Sequence, residues 1–405
     1  MAIQMGPGVT VNTVSRNTEI GRAERFVETI KRTHRFVPEK STWRICSDGV
    51  WQKTDDKQVL DQAFQFIKKD AQRIAGMEND RDREEAMVDY KRYANRSGVN
   101  NVTALAAVRL LAQLDEFDTD DNALSFEGGW VDLRTNKRHA VDASKMFSLS
   151  CAARYLPTDR AELWRKTVNE VFNGDNGLIE YFQKAAGYSL LGDNREQVMF
   201  ICHGSGANGK SLLLETIREV VGTYGQSVPV SALMYGESNG GAAHPEIARL
   251  RGVRFALASE TEKGQRWSSN RIKQLTGGDT VAARALYKDI SEFKPKATIW
   301  VACNHKPEVD AADAAMWRRM RLVPFLRVLG LKNRIRTCLQ SSLKSVTAYW
   351  LGCFRGWQCT ASGTSQSQTR SSRQRLIIVT RWTALSGSSR HRLKLFLTAG
   401  RLCHA

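Results

Sequence analysis

The residues best placed for chemistry read Gly204-Ser205-Gly206-Ala207-Asn208-Gly209-Lys210-Ser211, which fits G-x-x-x-x-G-K-[ST]. Glycines at these positions let backbone N–H groups face phosphate oxygens. A lysine there reaches the β and γ phosphates, and the final hydroxyl ligates Mg²⁺. ATP and Mg²⁺ are the expected ligands, with Lys210 catalytic and Ser211 on the metal. A plain glycine-rich turn is the alternative. The context favours nucleotide, because the apolar run "QVMFIC" precedes the loop and the helical run "LLLETIREVVG", stopped at Gly222, follows it. His203 reads as a structural neighbour of the loop.

Other polar groups recur at the ends of apolar runs. "VRFALAS" (253–259) leads into Glu260, Thr261 and Glu262. A carboxylate there holds the Mg²⁺ shell and polarises an attacking water. Glu260 stands first and Glu262 could share the work; a solvated acidic turn is the bland alternative. "ATIWVAC" (297–303) leads into Asn304, either an amide that orients water against the γ-phosphate or a turn residue. Between these runs, Thr276-Gly277-Gly278-Asp279 reads as a turn before a basic segment with Arg284 and Lys288. "MWRRMRLVPF" supplies Arg318 and Arg319, either of which could act in trans on a neighbouring subunit's nucleotide. A solvated basic face is the competing reading for each, and for Lys288 alone the stronger one.

Elements must position these groups. From about 186 to 325, short apolar strands alternate with helical segments, which predicts a mostly parallel sheet with its ligand site beyond the carboxyl ends of the strands. Residues 1–185 read mainly helical: "VLDQAFQFIKKDAQRIAG" and "VTALAAVRLLAQLDEF" have helical apolar spacing. Two stretches there read as hairpins, "STWRICSDGVWQKTDD" with a turn at Asp48-Gly49 and "LSFEGGWVDLRTNKRHAV" with Gly128-Gly129. Trp43, Trp51 and Trp130 are expected to pack rather than stack on bases. The fold class is α/β, a mostly parallel ATPase domain behind a mainly helical one.

The net charge of +18 on 405 residues is unevenly placed. Residues 326–405 hold 14 Lys plus Arg and no acid, leaving 46 basic and 42 acidic residues in the first 325. The basicity belongs to the tail and says little about a DNA-binding surface elsewhere. The eight scattered cysteines form no C-x-x-C pair and suit a reducing cytoplasm. No apolar run approaches the ~20 residues that span a bilayer, and the N-terminus lacks a secretory pattern.

Taken in order, the loop, the strand ending in "ASET", "KQLTGGD" with its following arginine, "IWVACNHKP" and "WRRMRLVPF" resemble the superfamily 3 helicase domain. More closely they resemble the phage and plasmid primase–helicase family, related to the poxvirus helicase-primase. Upstream, "TEIGRAERFVETIKRTHRFVPEKSTWRICSDGVWQ", "GGWVDLRTNKRH" and "LIEYFQKAAGYSLLGDNREQVMF" resemble that family's helical domain, so the likeness covers roughly 18–325. It implies a homo-oligomeric ring, usually a hexamer, of AAA+-like subunits with ATP at their interfaces. It also implies translocation on single-stranded or forked DNA during phage, prophage or plasmid replication in the bacterial cytoplasm, with a separate primase or initiator as a further partner. By resemblance Lys210 and Ser211 bind phosphate and Mg²⁺, Glu260 is the acidic-motif residue, Asn304 the sensor, and Arg318, less surely Arg319, the arginine finger. Arg284 and Lys288 would belong to the DNA-gripping hairpin. The chain starts too late to hold that family's primase domain, so no primer synthesis is expected.

The acid-free tail, 326–405, departs from the family. A basic disordered arm on DNA phosphates is one reading. The preferred one is a shift of reading frame soon after Phe325. "KNRIRTCLQSSLKSVTAYWL" can be encoded so that a neighbouring frame reads EPDPNLPAKLAQERHGILA. In the same register "IIVTRWTALSGSSRH" can be encoded to yield YRDEMDRLKWFIEA. An inactive remnant that keeps only nucleotide or DNA binding, and another phosphate-loop enzyme such as a kinase, are the rival functions.

Overall fold

A computed structural model describes residues 18–152, 162–235, 245–259, 267–284, 290–304 and 313–329. All of them fall within one compact unit. Glu260, Glu262, Lys288 and the tail from 330 onward lie outside the described residues.

The chain begins with α1 (Glu19–Ile30), whose N-terminus is capped by Thr18 Oγ1 accepting from the Gly21 N–H at 3.1 Å. An antiparallel sheet follows, β1 (His34–Val37), β2 (Thr42–Ser47) and β3 (Val50–Lys53). Its β2–β3 turn is Asp48-Gly49 with φ of 50° and 78°, the two positive angles a tight hairpin turn requires. Helices α2 (Asp56–Ala75), α3 (Asp80–Tyr93) and α4 (Arg96–Arg109) complete this part. Phe26, Ile30, Val59, Ala63, Ile67, Val102 and Ala106 form its core. Trp43 and Trp51 are buried, as the packing reading expected.

The helical spacing over 102–117 carries only to Arg109. Beyond it the Leu110 carbonyl accepts from the Phe36 N–H at 2.8 Å, and the Ala112 N–H donates to Phe36 O at 2.9 Å. Pairing with β1 takes the backbone groups the helix would have used. A second antiparallel sheet, β4 (Ala123–Phe126), β5 (Gly129–Asp132) and β6 (Lys137–His139), turns at Glu127-Gly128. Trp130 is half-buried there and stacks on His139, ring centroids 4.0 Å apart.

Helices α5 (Glu162–Val171) and α6 (Asn176–Tyr188) lead into alternating structure: β7 (Met199–His203), α7 (Lys210–Val220), β8 (Gly225–Pro229), α8 (Pro245–Ala248), β9 (Phe255–Ser259) and α9 (Ser269–Gly277). The hairpin strands β10 (Val281–Arg284) and β11 (Ile290–Phe293) follow, then β12 (Thr298–Cys303), α10 (Ala314–Trp317) and β13 (Met320–Pro324). The five-stranded sheet runs β13-β7-β12-β9-β8 with every neighbour parallel.

Both faces of this sheet are covered, which is why its strands read as continuous apolar runs rather than alternating ones. Successive residues point to opposite sides. Phe200, Cys202, Phe255, Leu257 and Trp300 pack with Leu213 and Ile217 of α7 and Phe182 of α6. Met199, Ile201, Ala256, Ile299 and Val301 pack with Ile272 and Leu275 of α9. The first of these clusters also takes in Leu124, Phe126 and Val131, so packing is continuous across position 185. Arg254 reinforces that junction, donating to Leu190 O and Ala123 O at 2.6 Å each.

Candidate nucleotide site

The register of the parallel sheet brings the candidate residues together. Cys303 of β12 lies opposite His203 of β7, so the next residues, Asn304 and Gly204, leave the sheet side by side. On the other flank Pro324 of β13 lies opposite the same His203, which sets Phe325 beside the loop. The loop thus leaves the sheet between two strand ends, in the crevice such sheets offer to ligands.

Its backbone is tightly turned. Gly206, Ala207 and Gly209 have φ of 93°, 47° and 82°. A Cβ on Gly209 would sit 2.6 Å from Val171 Cγ2 in addition to the unfavourable φ, so only glycine fits there. The Gly206 N–H donates to Gly204 O at 3.0 Å, and the Leu329 N–H donates to Ala207 O at 2.7 Å. Residues 325–329 therefore close over the loop from the β13 side.

Lys210 opens α7 and is 5% exposed. Its Nζ donates to Gly204 O at 2.7 Å, Asn208 Oδ1 at 3.0 Å and Asn304 Oδ1 at 3.1 Å. Burial lowers its pKa from the ordinary lysine value. All three acceptors are neutral, so this buried cation meets partial charges where an anion would serve it better. A phosphate group fits that want. Ser211 follows in the first turn of α7, exposed, beside N–H groups that have no acceptor within the helix.

Mg²⁺ usually keeps several waters and takes only one or two protein ligands besides phosphate oxygens. The described residues hold no cluster of three His, Cys, Asp or Glu that would bind a metal alone. Ser211 is compatible with a nucleotide-borne ion. Glu260 directly follows β9 in sequence but lies outside the described residues.

The two arginines stand apart from this group. They precede β13, whose pairing starts at Met320 opposite Met199, while the loop leaves β7 after His203. Five strand residues separate the two ends, about 16 Å at strand rise. Arg319 is 7% exposed; its guanidinium donates to Thr276 Oγ1 at 3.1 Å, Ala315 O at 2.7 Å and Gln197 Oε1 at 3.3 Å. Arg318 is exposed and makes one long contact, to Gln197 Oε1 at 3.4 Å. Arg284 closes β10 opposite Ile290 in the β10–β11 hairpin, and Lys288 falls in the undescribed connection.

Two participants were not singled out by sequence reasoning, and a third, Asn208, was named only as a loop position. Asn208 bridges the loop to Phe325 O with an Nδ2 contact of 3.1 Å, Gln197 holds both arginines, and residues 325–329 cover the loop. The loop motif names Asn208 without giving it a partner. The other two depend on strand register, which no local pattern reveals.

Residues 23–173 match the family model described as D5 N terminal like, and residues 202–319 match a family of unknown function, DUF5906. The chain is 30% identical over 216 residues to a protein of Acanthamoeba polyphaga mimivirus named "Putative helicase L207/L206", covering 53% of this chain and 22% of that one. It is 33% identical over 155 residues to "Putative helicase 022R" of Frog virus 3, covering 37% and 16%. A "Putative primase C962R" of African swine fever virus is 28% identical over 128 residues, covering 31% and 13%. The chain thus spans no more than 22% of the length of these relatives. The solved NrS-1 C-terminal region shares the fold, with a TM-score of 0.51 at 12% identity over 82% of this chain and 69% of that one. Among the described residues no helix is long and apolar enough to cross a membrane.

Proposed function

We propose that this chain, a relative of the viral helicase–primase family, is an ATP-dependent DNA helicase acting in replication of phage, prophage, plasmid or viral DNA. One observation carries the reading. Lys210 is buried among neutral oxygens at the carboxyl ends of parallel strands, with the Asn304 amide 3.1 Å from its ammonium. In this reading the backbone of 204–209 cradles the ATP phosphates and Lys210 exchanges its carbonyl partners for them. Asn304 orients the attacking water. Mg²⁺, held by Ser211 and Glu260, supplies charge neutralisation when bound.

The exposed Arg318 is the finger that serves a neighbouring copy, whereas Arg319 stays in its own subunit's core. This reading calls for a homo-oligomeric ring, a hexamer by resemblance, with DNA gripped by the hairpin carrying Arg284 and Lys288. The acid-free tail is read as out of frame, and resequencing the gene around codon 326 tests that.

The function is tested by ATP hydrolysis with and without single-stranded DNA, beside Lys210→Ala and Arg318→Ala. Stimulation by DNA, abolished by either substitution, is the expected result. Turnover that ignores DNA, or survives Lys210→Ala, refutes the proposal.

A further inference from the structure

Two places that the proposed function assigns to different active sites are joined by one strand. The loop of this subunit would hold its own ATP, while Arg318 would serve the neighbour's. Between them runs β13, the edge strand of the sheet, paired with β7 along its whole length.

Each end of β13 is fastened to the β7 side. At its start the Met199 N–H donates to Arg319 O at 2.8 Å, and Gln197 Oε1 accepts from both arginines. At its end the Phe325 N–H donates to His203 O at 2.8 Å. The Phe325 ring is buried against Phe172 and Phe182, with centroids 5.0 and 6.3 Å away. The remaining group there, Phe325 O, accepts from Asn208 Nδ2 at 3.1 Å.

Asn208 is 2% exposed and uses both ends of its amide. Its Oδ1 accepts from Lys210 Nζ at 3.0 Å and lies 3.4 Å from the Lys210 N–H. The amide cannot flip without setting donor against donor and acceptor against acceptor. A phosphate that draws the ammonium away removes one partner of Asn208 and leaves the other, the end of β13, to follow. We propose that Asn208 is a positioning residue that couples the nucleotide loop of one subunit to the strand presenting Arg318 to the next. The inference rests on the reading of Arg318 as acting in trans.

Mixed assemblies of full-length chains test it. A Lys210→Ala chain cannot hydrolyse ATP itself but keeps Arg318; an Arg318→Ala chain keeps Lys210 but offers no finger. In their mixture only one kind of interface is active, and that interface uses Arg318 of the silent subunit. In the Lys210→Ala chain the Asn208–Phe325 bond is the half of the bridge that remains, and adding Asn208→Ala to that chain is expected to lower kcat of the mixture about fivefold, the factor of one lost hydrogen bond, with KM for ATP unchanged. Asn208→Asp in the same background keeps the volume, replaces the donor with a carboxylate oxygen that opposes Phe325 O, and should lower kcat at least as much. It also serves if the alanine variant fails to fold.

Equal kcat with and without the Asn208 substitutions overturns the inference while leaving the finger reading intact. A fall with alanine but not with aspartate overturns the role of the Nδ2 donor. No turnover at all in the Lys210→Ala and Arg318→Ala mixture overturns the trans reading, and the inference with it.

Discussion

A single methyl group on Gly204 tests whether the loop is closed as described. The Cβ would fall 2.2 Å from Asn208 Nδ2 and 2.2 Å from Phe325 O, with Phe325 C at 3.1 Å. Neither neighbour can yield cheaply: Phe325 is backbone anchored by its buried ring, and Asn208 is held at both ends of its amide. Overpacking of this kind costs about 1–3 kcal/mol, and the displaced Asn208–Phe325 hydrogen bond adds about 1 kcal/mol. For a unit of this size, about 2–4 kcal/mol corresponds to a fall in Tm of roughly 5–15 °C. Gly206 is the control. A Cβ there meets nothing within 4 Å, and only its φ of 93° is strained, at a cost of about 1 kcal/mol. Gly206→Ala should therefore melt close to the parent chain; under the proposed function it should also weaken ATP binding, because its methyl enters the open space beside the loop. Thermal unfolding followed by tryptophan fluorescence, with and without Mg-ATP, reads both effects. If Gly204→Ala melts within about 2 °C of the parent while Gly206→Ala falls further, the closed loop is wrong.

The two arginines should separate in the same assay. Arg319→Ala leaves the buried hydroxyl of Thr276 and the half-buried oxygens of Ala315 and Gln197 without this donor, an expected loss of about 2–3 kcal/mol, whereas Arg318→Ala should stay within about 0.5 kcal/mol. A stable Arg319→Ala chain would undo the assignment of Arg319 to the core. In the helical part, burial pushes the Asp70 carboxyl up, but the Tyr93 hydroxyl, the Arg73 hydrogen bond and the Arg25 charge more than offset it. Its pKa therefore lies below the ordinary carboxylate value. A depressed carboxylate contributes stability that is present above about pH 4 and lost as pH falls through the folded value. Asp70→Asn should cost about 3 kcal/mol at neutral pH and flatten that acid limb in unfolding titrations; an unchanged limb would assign it to other carboxylates.

How much of this was legible beforehand depends on the range of the interactions involved. The strands and helix flanking the loop were legible because a parallel strand buried on both faces must be apolar throughout, and "QVMFIC" and "ATIWVAC" are. The Asp48-Gly49 turn was legible because few residue pairs accept two positive φ angles. The end of α4 was not. Its apolar spacing continues to Phe117, but pairing of Leu110 and Ala112 with Phe36, some 75 residues earlier, takes over the backbone. Local periodicity carries no sign of a partner that distant.

The site divides along the same line. A loop motif sets Lys210 within six residues of Gly204, so their contact is local and readable. Asn304 meets Lys210 only because β12 and β7 pair as Cys303 with His203, and the sequence offers the strand end without the register. The choice between Arg318 and Arg319 was open in sequence, since adjacent residues of one type look alike. What the fold adds to the resemblance, which put Arg318 ahead of Arg319, is their difference in burial: Arg319 is buried and Arg318 exposed. That same ladder has a further consequence. β13 pairs with β7 over five residues, so Arg318 stands about 16 Å along the sheet from the loop of its own chain. An arginine side chain reaches less than half that distance, so a γ-phosphate held at the loop would lie beyond Arg318 of the same chain. Under the proposed function, contact between Arg318 and that phosphate therefore calls for a second copy of the chain. Turnover that is first order in protein down to the lowest concentrations, with no loss on dilution, would remove Arg318 from the chemistry.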